Sequence, residues 1–138
     1  MNSDVKLPTS LDDVLLPEES PPLVLTAFTR PDLLKDVLEG ISQQSLLPSK
    51  MIAFVDSPRN VNDKPLIEQC ISLLKDFSTL IPVDIVPRTN NLGCDQNVIL
   101  AFTEVLSSYD SLVYIEDDTM TNPYFYDRMC RLLEVYRD

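Results

Sequence analysis

Histidine and tryptophan are absent from this 138-residue chain, and glycine occurs only at Gly40 and Gly93. Without imidazole there is no Ser-His-Asp triad and no His-ligated zinc. Two glycines cannot supply a Gly-x-Gly-x-x-Gly dinucleotide fingerprint, and the Gly-x-x-x-x-Gly-Lys-Ser/Thr phosphate loop is missing too. Cys70, Cys94 and Cys130 are odd in number, far apart and in no zinc or redox spacing, so they read as reduced thiols. Carboxylates are left as the acid–base and metal-binding groups. No apolar run approaches the length that spans a bilayer, and Met1-Asn2-Ser3-Asp4 opens neither a basic region nor an apolar signal core. A soluble, cytoplasmic domain without direct membrane insertion is the expectation. Positive charge is scarce: 11 Lys and Arg face 22 Asp and Glu, for a net charge of -11. That balance sets aside nucleic acid and anionic membranes as partners. A nucleotide diphosphate remains open to such a protein only with a divalent cation between the two sets of negative charge.

What is present is regular. Hydrophobic residues make up 44% of the chain, enough for one packed core at a length that fits one domain. Residues 1–20 carry prolines and acids without a sustained period and read as an extended lead-in, with one short turn around Leu11 to Leu15. From residue 21 to 138, short apolar runs alternate with segments of helical period, which argues for βαβ units. The runs are Leu23 to Phe28, Met51 to Val55, Val83 to Val86 and Ser111 to Ile115. Pro31 and Asp32 open a helix with an apolar stripe of Leu33, Leu34, Val37, Leu38 and Ile41. Pro65 opens a second, carrying Leu66, Ile67, Ile71, Leu74 and Phe77. A third is predicted from Asp95 to Ser107 with Val98, Phe102, Val105 and Leu106 inward. Asn122 and Pro123 start a last one bearing Phe125, Met129, Leu132, Leu133 and Tyr136. The predicted fold is α/β, a Rossmann-like three-layer sandwich with a mostly parallel four-stranded sheet.

Ligands of open α/β sheets sit beyond the carboxyl ends of the strands, which singles out Phe28 to Arg30, Asp56, Arg88 to Asn91 and Glu116 to Asp118. Three adjacent carboxylates, Glu116-Asp117-Asp118, repel one another and cannot easily all be buried without a cation. Such hard oxygens suit Mn2+ or Mg2+, which would also coordinate phosphates. The other reading is a solvated acidic turn ahead of the last helix; the position at a strand end favours the metal. Asp56 either accepts a base N–H, selecting uracil or another imino-bearing base, or forms an Asx-turn into Ser57-Pro58. Arg30 either reaches a base carbonyl or phosphate with its planar fork or lies on the surface beside a helix start. Within the polar loop from Arg88 to Asn97, Gly93 supplies a backbone conformation or a close approach that a side chain would block. Tyr124, Phe125 and Tyr126 either flank a sugar or pack their helix.

In order along the chain, four pieces resemble the GT-A glycosyltransferases, in particular glycosyltransferase family 2 and the N-acetylglucosaminyltransferase I type. They are Thr26-Ala27-Phe28-Thr29-Arg30-Pro31, the second strand ending in Asp56, Asn91-Leu92-Gly93, and Val113-Tyr114-Ile115-Glu116-Asp117-Asp118 followed by Asn122-Pro123. The resemblance spans residues 21 to 138 and implies hexosyltransferase chemistry on a nucleotide-sugar donor, a UDP-sugar in the first instance. By that comparison Phe28 and Arg30 would line the base pocket and Asp56 would bind the base. Arg88, Asn91 and Gly93 would lie near the nucleoside, and Asp117 near the ribose or sugar. Asp118 would ligate the metal, with Glu116 shaping the turn beside it. The metal would neutralise the departing nucleotide diphosphate. In such enzymes the acceptor site and the catalytic base follow the acidic turn in a longer carboxyl-terminal half, so the base is expected beyond Asp138 and the acceptor is unknown. Two other readings stay open. One is a catalytically inactive α/β interaction module that forms a homodimer or pairs with a missing carboxyl-terminal half. The other is a phosphoacceptor receiver domain, from which the acidic pair after the first strand and the Lys after the last are missing.

Overall fold

In the computed structural model, which describes residues 10–137, the two longest apolar runs become the two central strands. β1 (Leu23–Ala27) and β2 (Met51–Val55) are buried at every position. Both are covered on both faces, which is why they read as continuous apolar runs and not as alternating ones. β3 (Val83–Pro87) and β4 (Val113–Glu116) flank them in the order β3-β2-β1-β4, and every pairing is parallel. The sheet is therefore parallel throughout, within the predicted sandwich.

Strand alternation divides the core into two layers. Leu23, Leu25, Ala27, Met51, Ala53, Val55, Val113 and Ile115 face α1 (Pro31–Ser42), α2 (Lys64–Phe77) and α4 (Phe125–Val135). The intervening residues Val24, Ile52 and Phe54 face α3 (Cys94–Leu106) alone, meeting Ala101 and Val105. Each buried Leu, Ile or Phe contributes about 1.5–3 kcal/mol relative to exposure, so the three-helix layer carries most of the stability. Among the described residues no helix is long and apolar enough to cross a membrane.

Several helix details differ from expectation, each for a local reason. Leu33 is 42% exposed, because the stripe that turns inward on α1 is Leu34, Val37, Leu38 and Ile41. On α3 Val105 is buried as expected, but the other buried residues are Asn97 and Ala101, one step before Val98 and Phe102, and Leu106 is half exposed. Asn97 goes inward because its amide donates to the Phe54 carbonyl while its oxygen accepts from Arg88. α2 buries Cys70 beside Ile67 and Leu74 and is preceded by a 3-10 turn at Val61–Asp63. α4 starts at Phe125: the Asn122 side-chain oxygen takes the Tyr124 N–H and makes a turn before the helix, not its cap. Tyr136, placed on its apolar stripe, is 63% exposed. β4 begins at Val113, in register with Leu23, and not at Ser111. The short turn in the lead-in is a 3-10 element, Leu11–Asp13; the rest of that segment up to residue 9 lies outside the described residues.

One buried polar side chain anchors the loop that follows β4. Gln44 donates from Nε2 to the carbonyls of Gly40 and Asn122 and to the Thr121 hydroxyl, and its oxygen accepts the Tyr126 N–H. Gly40 permits the approach, since a Cβ there would stand 3.2 Å from the Thr121 Oγ1. Gln44→Leu leaves the buried Tyr126 N–H without its acceptor, while the Gly40 and Asn122 carbonyls keep the N–H groups of Gln43 and Phe125, and is expected to cost about 2 kcal/mol in urea unfolding. A loss under about 0.5 kcal/mol would mean that water replaces the amide at no cost.

Candidate functional site

From β1 the chain steps to β2 and β3 on one side, then returns through α3 to β4 on the other side of β1. The order reverses between β1 and β4, and in open α/β sheets the crevice at such a switch point is where ligands bind. A cleft of about 190 Å³ opens there, lined by Thr26, Phe28, Arg30, Asp56, Asn97 and Asp117 among others. Among the sequence-selected residues, Phe28, Arg30, Asp56, Glu116 and Asp117 line it together. Asp118 adjoins it through Arg30.

The acidic turn is built by β4 ending where Thr119 can fold back. The Thr119 N–H donates to the Glu116 carbonyl, and the Thr119 hydroxyl accepts the Glu116 N–H. Asp117 is driven inward and is only 3% exposed, whereas Glu116 and Asp118 remain at the surface. Burial pushes the Asp117 carboxyl above its ordinary value, opposed by the Arg30 guanidinium and by a long 3.4 Å hydrogen bond from the Phe28 N–H. Arg30 Nη2 lies 2.6 Å from Asp117 Oδ1 and its Nη1 3.1 Å from Asp118 Oδ2. Desolvation works against the Arg30 charge, but the two carboxylates outweigh it and hold the guanidinium above its usual pKa. Arg30 therefore lines the cleft while spanning the two acids. Its place just before Pro31, in a non-helical conformation, aims it across the crevice.

Asp56 is 4% exposed and gathers the opposite wall. Its Oδ1 accepts the N–H groups of Ser57 (2.8 Å) and Leu92 (2.9 Å), and its Oδ2 accepts the Gly93 N–H (3.0 Å) and the Asn91 side-chain amide (3.3 Å). Asn91 is held more closely by the Ser57 carbonyl at 2.8 Å. The Ser57 contact is to the next residue and is not the Asx-turn, whose donor two residues on would be Pro58, which has no N–H; the loop contacts span 35 residues or more and could not be read from spacing. Gly93 has φ 81 and ψ 161, a region closed to side-chain-bearing residues, and this lets the loop double back onto Asp56 before α3 begins. Gly93→Ala meets no steric neighbour but inherits that strain, and is expected to cost about 1–3 kcal/mol in thermal or urea unfolding.

Arg88, placed near the nucleoside by resemblance, lies behind the cleft wall. It is 4.7 Å above the Phe54 ring, donates to Asn97 and pairs with Glu104, with its Nη2 buried and unpartnered among the described residues. It supports Asn97, which does line the cleft. Besides Thr26 and Asn97 in the lining, three further residues at the site are not singled out by the sequence. Arg59 lies 5.0 Å over the Phe28 ring and is clamped by Asp63; Thr119 forms the acidic turn; Cys94 opens α3 at the rim. Burial and the nearby carboxylates Glu116, Asp95 and Asp117 raise the Cys94 pKa, so its exposed thiol is not an activated nucleophile. Tyr126 is buried and donates its hydroxyl to the Pro21 carbonyl, which makes it core rather than a sugar platform.

Among the described residues no three His, Cys, Asp or Glu side chains converge into a cage for a metal ion. The donor set still suits Mn2+ or Mg2+ in the form that nucleotide sites use, where one or two carboxylates share the ion with phosphates and water. Asp118 could supply such a carboxylate: its side chain is 41% exposed and, among the described residues, only its Oδ2 is hydrogen-bonded, by Arg30.

No family model matches the chain, and no curated protein matches it. Solved structures do. S. aureus TarS is 9% identical with a TM-score of 0.63, over 82% of this chain and 19% of that one. The structure of TarS 1-349 in complex with UDP is 11% identical with a TM-score of 0.57, over 82% of this chain and 32% of that one. TarS 1-349 in complex with UDP-GlcNAc is 9% identical with a TM-score of 0.62, over 82% and 31%. This chain thus spans between a fifth and a third of the TarS chains it matches, and what it shares with them at such identity is the α/β fold.

Proposed function

We propose that this chain binds a nucleotide-diphosphate sugar, a UDP-sugar by class, in the crevice between β1 and β4, as the donor-binding part of a glycosyltransferase. The observation that carries the reading is the meeting of Phe28, Arg30, Asp56 and Asp117 around one cleft at the switch point. The fold likeness to chains crystallised with UDP and UDP-GlcNAc supports it. Phe28 offers a ring for the base, beside the Arg59 guanidinium. Asp56 holds the loop that walls the nucleoside side, and a base N–H would replace its weakest contact, the 3.3 Å bond from Asn91. Asp117, buried and fixed, accepts a ribose or sugar hydroxyl once Arg30 moves aside. Asp118 would hold Mn2+ or Mg2+ beside Glu116. When bound, that ion supplies neutralisation of the nucleotide diphosphate as it leaves.

Isothermal titration with UDP, with and without Mn2+, tests this. The expected result is binding that strengthens with the metal and competition by UDP-GlcNAc. Absence of heat under both conditions would remove the donor-site reading.

A further inference from the structure

We infer that Arg30 occupies the acidic turn in place of a free divalent cation and yields it only to the diphosphate of a bound nucleotide, which makes nucleotide and metal binding cooperative. The inference rests on the donor-site reading above. The guanidinium spans both acids, 2.6 Å from Asp117 and 3.1 Å from Asp118. A planar fork laid across two carboxylates answers the negative charge that would otherwise attract a metal ion. It also takes one of the two Asp118 oxygens.

Two further observations point the same way. The cleft holds about 190 Å³, below the roughly 300–1,000 Å³ usual for small-molecule sites, and Arg30 is part of its lining. Among the described residues the Arg30 guanidinium makes no hydrogen bond except to these two acids, and its side chain is 50% exposed. Among the described residues no other hydrogen bond or ion pair holds it. The nearby cations are committed elsewhere: Arg59 to Asp63 and Arg88 to Glu104.

A cation approaching the turn alone meets the guanidinium at contact range and is repelled. A diphosphate reverses the balance, because it offers the fork a bidentate partner of equal charge and frees Asp118. Linkage then requires that nucleotide raise metal affinity and metal raise nucleotide affinity by the same factor.

The experiment titrates Mn2+ alone into the wild-type chain, Arg30→Gln and Arg30→Lys, reading free Mn2+ by electron paramagnetic resonance, and repeats each titration with saturating UDP. Arg30→Gln is expected to bind Mn2+ alone about tenfold or more tightly than wild type, with Arg30→Lys between them, since one nearby positive charge is removed or loosened. UDP should strengthen Mn2+ binding more in wild type than in Arg30→Gln. Equal Mn2+ affinity in the three proteins without UDP overturns the inference even if UDP binds. Failure of all three to bind UDP overturns the donor-site reading even if Arg30→Gln gains Mn2+.

Discussion

Asp56→Ala is expected to lower stability by about 3–5 kcal/mol in urea unfolding and to abolish UDP binding, because three backbone N–H groups lose a buried charged acceptor at once. The carboxylate is 4% exposed and joins the end of β2 to the loop that enters α3. Without it the Leu92 and Gly93 N–H groups have no other partner among the described residues, and the loop at Gly93, with its positive φ, loses its tie to β2. Asp56→Asn preserves the shape but turns one accepting oxygen into a donor that faces N–H groups, so it should fall between alanine and wild type. If the alanine variant unfolds within about 1 kcal/mol of wild type, solvent is doing the carboxylate's work and the loop is not organised from β2.

Asp118→Ala should act on binding and leave folding alone. The side chain is 41% exposed and among the described residues pairs only with Arg30, so its loss removes one partly solvated ion pair worth little to stability. The metal-supported part of UDP affinity should fall by at least the roughly 10–100-fold that follows loss of even a supporting group at a metal site. UDP titrations with and without Mn2+ read this directly. The wild-type affinity difference between the two conditions should vanish in the variant, while the unfolding midpoint stays put. A variant that keeps its Mn2+ dependence would exclude Asp118 as a ligand.

The sequence made the layers legible and left the couplings hidden. Leu23 to Ala27 and Met51 to Val55 were readable because strands covered on both faces must be apolar throughout. The strand-end acids were readable because a parallel sheet gathers its ligand groups at one edge. The phase of α3 was not, since Asn97 is buried by a hydrogen bond to Phe54, 43 residues away, and no periodicity records such a partner. Arg88 and Arg30 show the same limit. An arginine beside a strand end looks the same in sequence whether it braces Phe54, spans two aspartates or faces a ligand. Gln44 is illegible in sequence because nothing local distinguishes a buried amide with four partners from one in water.

The order β3-β2-β1-β4 leaves two outer strands, and each is a poor template for adding another chain. Pro87 at the end of β3 has no N–H to offer, and Asp84 in its middle carries charge against Lys50. β4 is only four residues long and runs straight into carboxylates. Lateral growth of the sheet into ribbons is therefore disfavoured at both rims, by Pro87 and Asp84 at one and by the acids after β4 at the other, and a net charge of -11 adds repulsion between copies.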